Sequence, residues 1–199
     1  MHPTEPSKTV RVSANLPIEQ ESALVEFLYE KWEIIAWCLA DMPGVPMEFA
    51  EHSLQIFPNT KPVKQSLHCV SEPKRRAISE EVNRLLDTKF IRETKKATWV
   101  ANPMLVPKKD TPVLRMCIDY GLVNKHCPKD HFPLPRIGQN IDSTTRCDLL
   151  SFLDAYSTYN HIRMKEEDEE HTSFITPFGV FCYMMMPFGL KNAGATYLQ

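Results

Sequence analysis

With 199 residues, 43% of them apolar, the chain is long enough to bury one ordinary core or two small ones, which excludes wholesale disorder. Sixteen prolines against six glycines disfavour long uninterrupted helical bundles, and with no apolar run of about 18 residues and no basic start leading into one, neither a membrane span nor a signal peptide is expected. The net charge of −2 hides an uneven distribution, −6 over residues 1–60, +7 over 61–131 and −3 over 132–199; a basic middle between acidic flanks fits a polyanion-binding surface beside a metal site, and fits solvated helix faces equally.

Residues 1–14 are polar and aperiodic and read as a disordered start. Ala23, Leu24, Phe27, Leu28 and Trp32 recur at helical spacing, which predicts a helix over 17–32 that stops before the turn-rich Asp41–Pro46. Residues 52–65, with prolines at 58 and 62, read as extended. Ser71, Glu72 and Pro73 supply an N-cap oxygen, a first-turn carboxylate and a pre-set φ, and Ile78, Val82, Leu85 and Leu86 give the following helix one apolar face to about residue 88. Trp99–Val106 and Leu114–Tyr120 read as two strands of a hairpin whose tip carries Lys108 and Lys109. Ile137 and Ile141 mark a short helix. Asp148–Leu153 reads as a buried strand ending at Asp154, residues 166–171 as a solvated helical turn, and Phe174–Ile175 and Val180–Tyr183 as segments flanking a turn. Ala193 to Gln199 begins like a helix.

The six cysteines are far apart, with no CxxC and no paired histidine spacing, so a zinc site is not expected; they read as reduced thiols, most of them small core residues such as Cys117. His68, His126, His131, His161 and His171 share no spacing, and no nucleophile arrangement supports a hydrolase. Asp154 is the sharpest single residue. A carboxylate at a strand end, followed by a tight turn and Tyr159, suits a Mg²⁺ ligand in a phosphoryl-transfer site, and suits equally the cap of a following helix. Lys108, Lys109 and Arg115 surround the hairpin tip, where converging cations would hold a triphosphate, although an ordinary solvated tip has the same composition.

Four segments then occur in order: Arg115-Met116-Cys117-Ile118-Asp119-Tyr120, Phe132-Pro133-Leu134-Pro135-Arg136-Ile137, Phe152-Leu153-Asp154-Ala155-Tyr156-Ser157 and Met186-Pro187-Phe188-Gly189-Leu190-Lys191-Asn192-Ala193. Together they closely resemble the reverse transcriptase of gypsy-type LTR retrotransposons, particularly those of plants, from about residue 38 onward. The resemblance implies an α+β fold, part of a right-hand polymerase. It divides the chain into a lead-in with one helix (15–66), fingers (67–131), the first palm strand and its motif (132–162), and a second fingers part with the start of a palm helix (163–199).

By the same resemblance, Asp154 is the catalytic residue and binds Mg²⁺, of which the complete family site holds two ions. Lys108 and Arg115 contact the incoming dNTP, Ser157 and Thr158 border it, and Tyr159 blocks a ribose 2′-hydroxyl. Phe188 and Gly189 line the nucleotide pocket, and Lys109 and Arg136 touch an RNA or DNA template-primer. The implied function is RNA-directed DNA polymerisation; a catalytically dead nucleic-acid-binding remnant, or a pseudogene product, is the alternative. The family also needs a Tyr-x-Asp-Asp hairpin, and this chain has no Asp-Asp pair, so the chain alone is expected to be inactive. The sequence departs from the family with Thr158 for Gly, His161 for Gln, Gly121 for Arg and Met184 for Lys. An intracellular location, cytoplasmic or nuclear, and self-association through an uncovered palm edge at Leu150, Phe152 and Leu153 complete the expectations.

Overall fold

The computed structural model describes residues 8–38, 41–42, 44–107, 114–133, 135–145, 147, 150 and 158–199. They are divided between two compact units, residues 1–42 and 43–199.

In the first unit, helix α1 runs over Ile18–Glu30 behind Pro17, with Glu19 and Glu21 in the first turn, where the helix dipole favours negative charge. A 3₁₀ turn, Trp32–Ile34, follows. The helix is where its periodicity predicts, but its apolar face is not core: no residue of α1 is buried, and Phe27 is half exposed. Asp41 closes the unit by accepting the backbone N–H groups of Trp37 and Cys38, each at 2.9 Å. Those two bonds hold its carboxyl below the usual range.

The second unit is built on helix α2, Glu72–Asp87, which buries Ile78, Val82 and Leu85. Ser71 is extended at the N-cap position, but its side chain makes no capping bond, so Glu72 and Pro73 carry the start without the expected cap. At the other end the Thr88 hydroxyl donates to the carbonyls of Arg84 and Leu85, and Lys89 turns left-handed (φ 56°) to reverse the chain.

The reversal feeds strand β2, Ile91–Glu93, which lies on the edge of an antiparallel sheet of order β2-β7-β6, where β6 is Phe174–Thr176 and β7 is Gly179–Tyr183. Ile91 pairs with Tyr183 and Glu93 with Phe181; Phe174 pairs with Phe181 and Thr176 with Gly179. A separate hairpin pairs β3, Pro103–Pro107, with β4, Leu114–Ile118, in register from Pro103↔Ile118 to Pro107↔Leu114. Ala101 ties this hairpin to the sheet, donating to the Ser173 carbonyl and accepting from the Ile175 N–H, both at 2.9 Å. A short parallel pair joins β1, Glu51–His52, to β5, Arg163–Met164. Beyond β1, residues 53–65 form no strand, because Pro58 and Pro62 interrupt the donors a ladder needs; they are held by single bonds, such as that of the Phe57 N–H to the His126 carbonyl, and by a bridge at Lys64. The remaining helices are α3 (Gly121–Lys125), α4 (Ile137–Thr144), α5 (Glu166–Glu169) and α6 (Ala193–Leu198). The expected strand at 148–153 lies, apart from the exposed Leu150, outside the described residues.

Two polar centres organise the core. Thr172 is fully buried: its hydroxyl donates to the Glu169 carbonyl (2.6 Å) and accepts the Tyr183 N–H (2.8 Å), while its own carbonyl accepts the Tyr120 hydroxyl at 3.0 Å. Three segments are thereby fixed to one residue. The acidic run at 166–171 supplies the second centre and corrects its reading as a solvated turn. Asp168 is buried, accepting the Ser53 hydroxyl (3.0 Å) and the Leu54 N–H (2.9 Å) and pairing with His171 at 3.1 Å. Burial works to raise its pKa, and these bonds outweigh it and lower it. Glu169 meets the Arg92 guanidinium at 2.8 Å, and Glu170 accepts the Thr94 hydroxyl. The cysteine reading is corrected too: only Cys127 and Cys182 are buried, Cys117 is half-buried, and Cys38, Cys69 and Cys147 are exposed.

His52 is inaccessible to solvent, with Nδ1 2.8 Å from the Thr196 hydroxyl and Nε2 without a partner. Burial pushes its pKa down to about 4, against the opposing charge of Asp168. The folded state thus holds His52 neutral, and the unfolded chain takes up the proton below about pH 6.5. Its contribution is complete above that pH and is lost as the pH falls toward 4, by roughly 3 kcal/mol in all. Urea titrations across this window should show that loss in the parent and a smaller one in His52→Gln; equal losses would place the linkage elsewhere.

Candidate functional site

The segment after β7 turns back across β4 and α3. Met186 is fully buried and donates its N–H to the Ile162 carbonyl, and Pro187 is buried beside it. Phe188 then emerges, 56% exposed. Gly189 adopts φ 93°, a conformation other residues adopt only under strain, with the Ile118 carbonyl and the Tyr120 ring 3.6 and 3.7 Å from where a Cβ would stand.

A set of bonds from α3 and the chain after it holds this loop. The Asn124 amide donates to the Gly189 carbonyl and accepts the Lys191 N–H, both at 2.7 Å. The Lys191 ammonium donates to the carbonyls of Asn124 (3.1 Å) and Cys127 (2.6 Å), satisfying two acceptors at the end of α3. Asn192, left-handed at φ 67°, donates to the Pro128 carbonyl and accepts the Asp130 N–H, each at 2.9 Å, before α6 begins.

Tyr159 sits in the 3₁₀ turn Thr158–His161, whose last carbonyl accepts the Val45 N–H. Its ring lies 4.8 Å from that of Phe188 and 5.8 Å, edge-on, from that of Tyr197 on α6. Three aromatic rings thus form one partly exposed wall, Phe188 and Tyr197 at its outer side. Of the residues singled out from sequence, the structure brings Thr158, Tyr159, Phe188 and Gly189 together. Arg115 is exposed on β4, paired with Val106, three residues before the Ile118 carbonyl that borders Gly189. Arg136 is exposed at the start of α4, a helix that buries nothing and leaves Ile137 and Ile141 in solvent. Asp154, Lys108, Lys109 and Ser157 lie outside the described residues. Among the described residues no group of three or more His, Cys, Asp or Glu could hold a metal ion, and Asp154, the ligand the resemblance implies, is not one of them. Sequence reasoning missed Asn124, Lys191 and Tyr197. Only the chain order Lys191-Asn192, a cation followed by a residue tolerant of left-handed backbone, hinted at a strap.

Residues 106–199, which include this loop and the aromatic wall, match the family described as "Reverse transcriptase (RNA-dependent DNA polymerase)". The Tf2-3 and Tf2-7 transposon polyproteins of Schizosaccharomyces pombe are each 37% identical to this chain over 124 residues, 62% of the chain and 9% of their own length. Among solved structures, the prototype foamy virus protease-reverse transcriptase superposes with a TM-score of 0.75 at 19% identity, covering 90% of this chain and 24% of that one. The foamy viral protease-reverse transcriptase in complex with dsDNA gives 0.69 at 18% identity, over 92% and 37%. The fold is that of a reverse transcriptase polymerase. Residues 106–199 are thus similar in sequence to reverse transcriptases, and the chain spans about a tenth of the length of the curated relatives it matches.

Because Asn124 serves the Gly189 carbonyl and the Lys191 N–H at once, Asn124→Ala should cost about 1–2 kcal/mol. Urea denaturation followed by circular dichroism measures the loss; a variant as stable as the parent would show the loop is held without Asn124.

Proposed function

We propose that this chain contributes the fingers and the first part of the palm to an RNA-directed DNA polymerase of a gypsy-type, plant-like retrotransposon, with the segment boundaries at 67, 132 and 163. The observation that carries the reading is the contact of Tyr159 with Phe188 on a loop strapped by Asn124 and Lys191. An aromatic wall held in place before a ligand arrives suits the sugar and base of a nucleotide, since neither ring needs to be ordered on binding. Arg115 and Lys108 neutralise the triphosphate, Lys109 and Arg136 meet the template-primer backbone, and Ser157, Thr158 and Gly189 bring backbone close to the nucleotide. In the reaction a primer 3′-hydroxyl attacks the α-phosphate of a dNTP, a P–O bond forms and pyrophosphate leaves. Mg²⁺, held in part by Asp154, supplies charge neutralisation to such chemistry when bound. Self-association through the 148–153 edge belongs to the same reading. No described helix is long and apolar enough to cross a membrane, and we place the protein in the cytoplasm or nucleus.

The 199-residue chain contains no Asp-Asp pair, and one carboxylate motif is too few for two ions. A primed-template incorporation assay with this chain should show no turnover. A fluorescent dNTP analogue should nonetheless bind, about tenfold more weakly in Arg115→Gln, the order expected for one charge-assisted contact. Turnover above background that disappears in Asp154→Asn would overturn the inactivity, and nucleotide binding untouched by Arg115→Gln or Tyr159→Ala would overturn the site.

A further inference from the structure

Away from the aromatic wall, a second basic surface gathers at the turn between β6 and β7. Phe178 stands at that turn, 46% exposed, with the Arg75 guanidinium 5.3 Å above its ring. The turn is rigid: the Phe178 N–H donates to the Thr176 hydroxyl, and that hydroxyl donates to the Gly179 carbonyl, both at 3.1 Å. Arg75 lies one turn before the buried Ile78 and reaches over that turn, and Lys74, exposed, precedes it in the first turn of α2. Across the sheet, β2 continues past Glu93 so that the Thr94 N–H donates to the Val180 carbonyl, which delivers the exposed Lys95 and Lys96 beside the same turn. A carboxylate also stands there, Glu93, with Oε1 3.9 Å from where a Gly179 Cβ would be. Four cations against it leave the surface basic, and none of the four makes an ion pair with a described residue.

Placing Lys74 and Arg75 in the first turn of α2 runs against the helix dipole, which favours carboxylates there. Glu72 and the Phe178 ring offset that placement only in part, and no described carboxylate pairs with either cation, so a ligand is the natural source of further compensation. The cations would suit any polyanion. The exposed ring narrows the choice, because an acidic peptide has no use for it, whereas an unpaired base can stack on it while phosphates meet the surrounding cations.

We propose that Phe178, Arg75, Lys74, Lys95 and Lys96 form a second nucleic-acid contact that takes a single strand without reading its sequence. It shares no residue with the nucleotide site and stands whether or not that site is correctly assigned.

The test uses the whole chain and fluorescence anisotropy of a labelled oligothymidylate at several salt concentrations. Phe178→Ala should weaken binding by roughly 5- to 100-fold, the range for loss of one stacked base, and Phe178→Tyr should restore it. Lys74→Gln, Lys95→Gln and Lys96→Gln together should flatten the log–log salt slope by about 2, at about 0.7 per single-strand phosphate released. In an Arg115→Gln background, altered at the other site, Phe178→Ala should weaken binding by the same factor. Unaltered thermal melts establish that the surface variants remain folded. Binding lost only in Arg115→Gln overturns the proposal and leaves the nucleotide site standing. A triple variant that weakens binding while Phe178→Ala does not reduces the surface to diffuse attraction and overturns it. So does polyglutamate bound as tightly as the oligonucleotide with the same dependence on Phe178, which would assign the surface to an acidic protein.

Discussion

The ammonium of Lys191, donating to two carbonyls at the end of α3, is the contact on which the candidate site depends. A cation there does two things at once. It satisfies acceptors that a helix end leaves open, and it anchors the loop whose Gly189 must pass within van der Waals reach of the Ile118 carbonyl and the Tyr120 ring. Asn124 returns the tie from the other side through both ends of its amide. With α3 thus bound to the loop, β4, which leads into α3, is set in position relative to Phe188, and through the ring contact to Tyr159. The geometry of the wall therefore follows from hydrogen bonds to backbone rather than from apolar packing alone, consistent with an outer ring, Phe188, that is more than half exposed.

Behind the loop, the same economy of one residue serving several segments recurs at Thr172 and Asp168. Thr172 joins β7, the end of α5 and Tyr120 through three bonds. Burial pushes the Tyr120 phenol well above its ordinary range, so it remains a donor across all physiological conditions. Asp168 binds the stretch after β1, which has no ladder of its own because prolines interrupt it. Segments that cannot form regular structure are here fixed by single buried side chains, each with its bonding capacity largely filled, as low-dielectric burial demands.

What the sequence made legible follows from this division. Elements with strong periodicity were readable: α2 with Ile78, Val82 and Leu85, the β6–β7 turn and the β3–β4 pair stand where pattern places them, although β3 begins at Pro103 rather than at Trp99. The polar centres were not, because nothing local distinguishes Asp168 from Glu166 or Glu167 beside it; its burial is decided by Ser53 and Leu54, more than a hundred residues earlier. Ser71 failed for the opposite reason: the residue type is right for a cap, but its side chain makes no such bond. Cys117 sits between apolar neighbours yet lies on a two-stranded ribbon, whose second face is only partly covered. Periodicity identified α1 and α4 correctly as helices and could not tell that neither buries a residue against its own unit. The candidate-site residues split likewise: Tyr159, Phe188 and Gly189 were named through motifs and meet in space, whereas the contacts of Asn124 and Lys191 appear only once α3 and the loop are side by side.

The basic character of the middle third takes its physical form from where its acids are spent. Glu81 pairs with Arg84 on the same helix. Asp119 and Asp130 turn their carboxylates to the N–H groups of Gly121 and Phe132, two residues on, as short acidic side chains do at turns. Arg92 is drawn instead to Glu169, from the acidic last third. The ion pairs of Arg84 and Arg92 neutralise charge within the fold, whereas Asp119 and Asp130 keep theirs and spend their acceptors on backbone N–H groups. Among the cations that make no ion pair with a described residue, Lys74 and Arg75 stand in the first turn of α2 and Lys95 and Lys96 follow β2, while others, Lys61, Lys64, Arg76, Lys89, Lys125 and Lys129 among them, lie elsewhere along the middle third. A surplus spread along the segment makes a soluble surface; the part of it that stands beside an exposed ring, where Arg75 lies over Phe178, has the composition of a binding face. Net charge by segment signals such a face in sequence, and the commitment of the acids elsewhere in the fold decides where it forms.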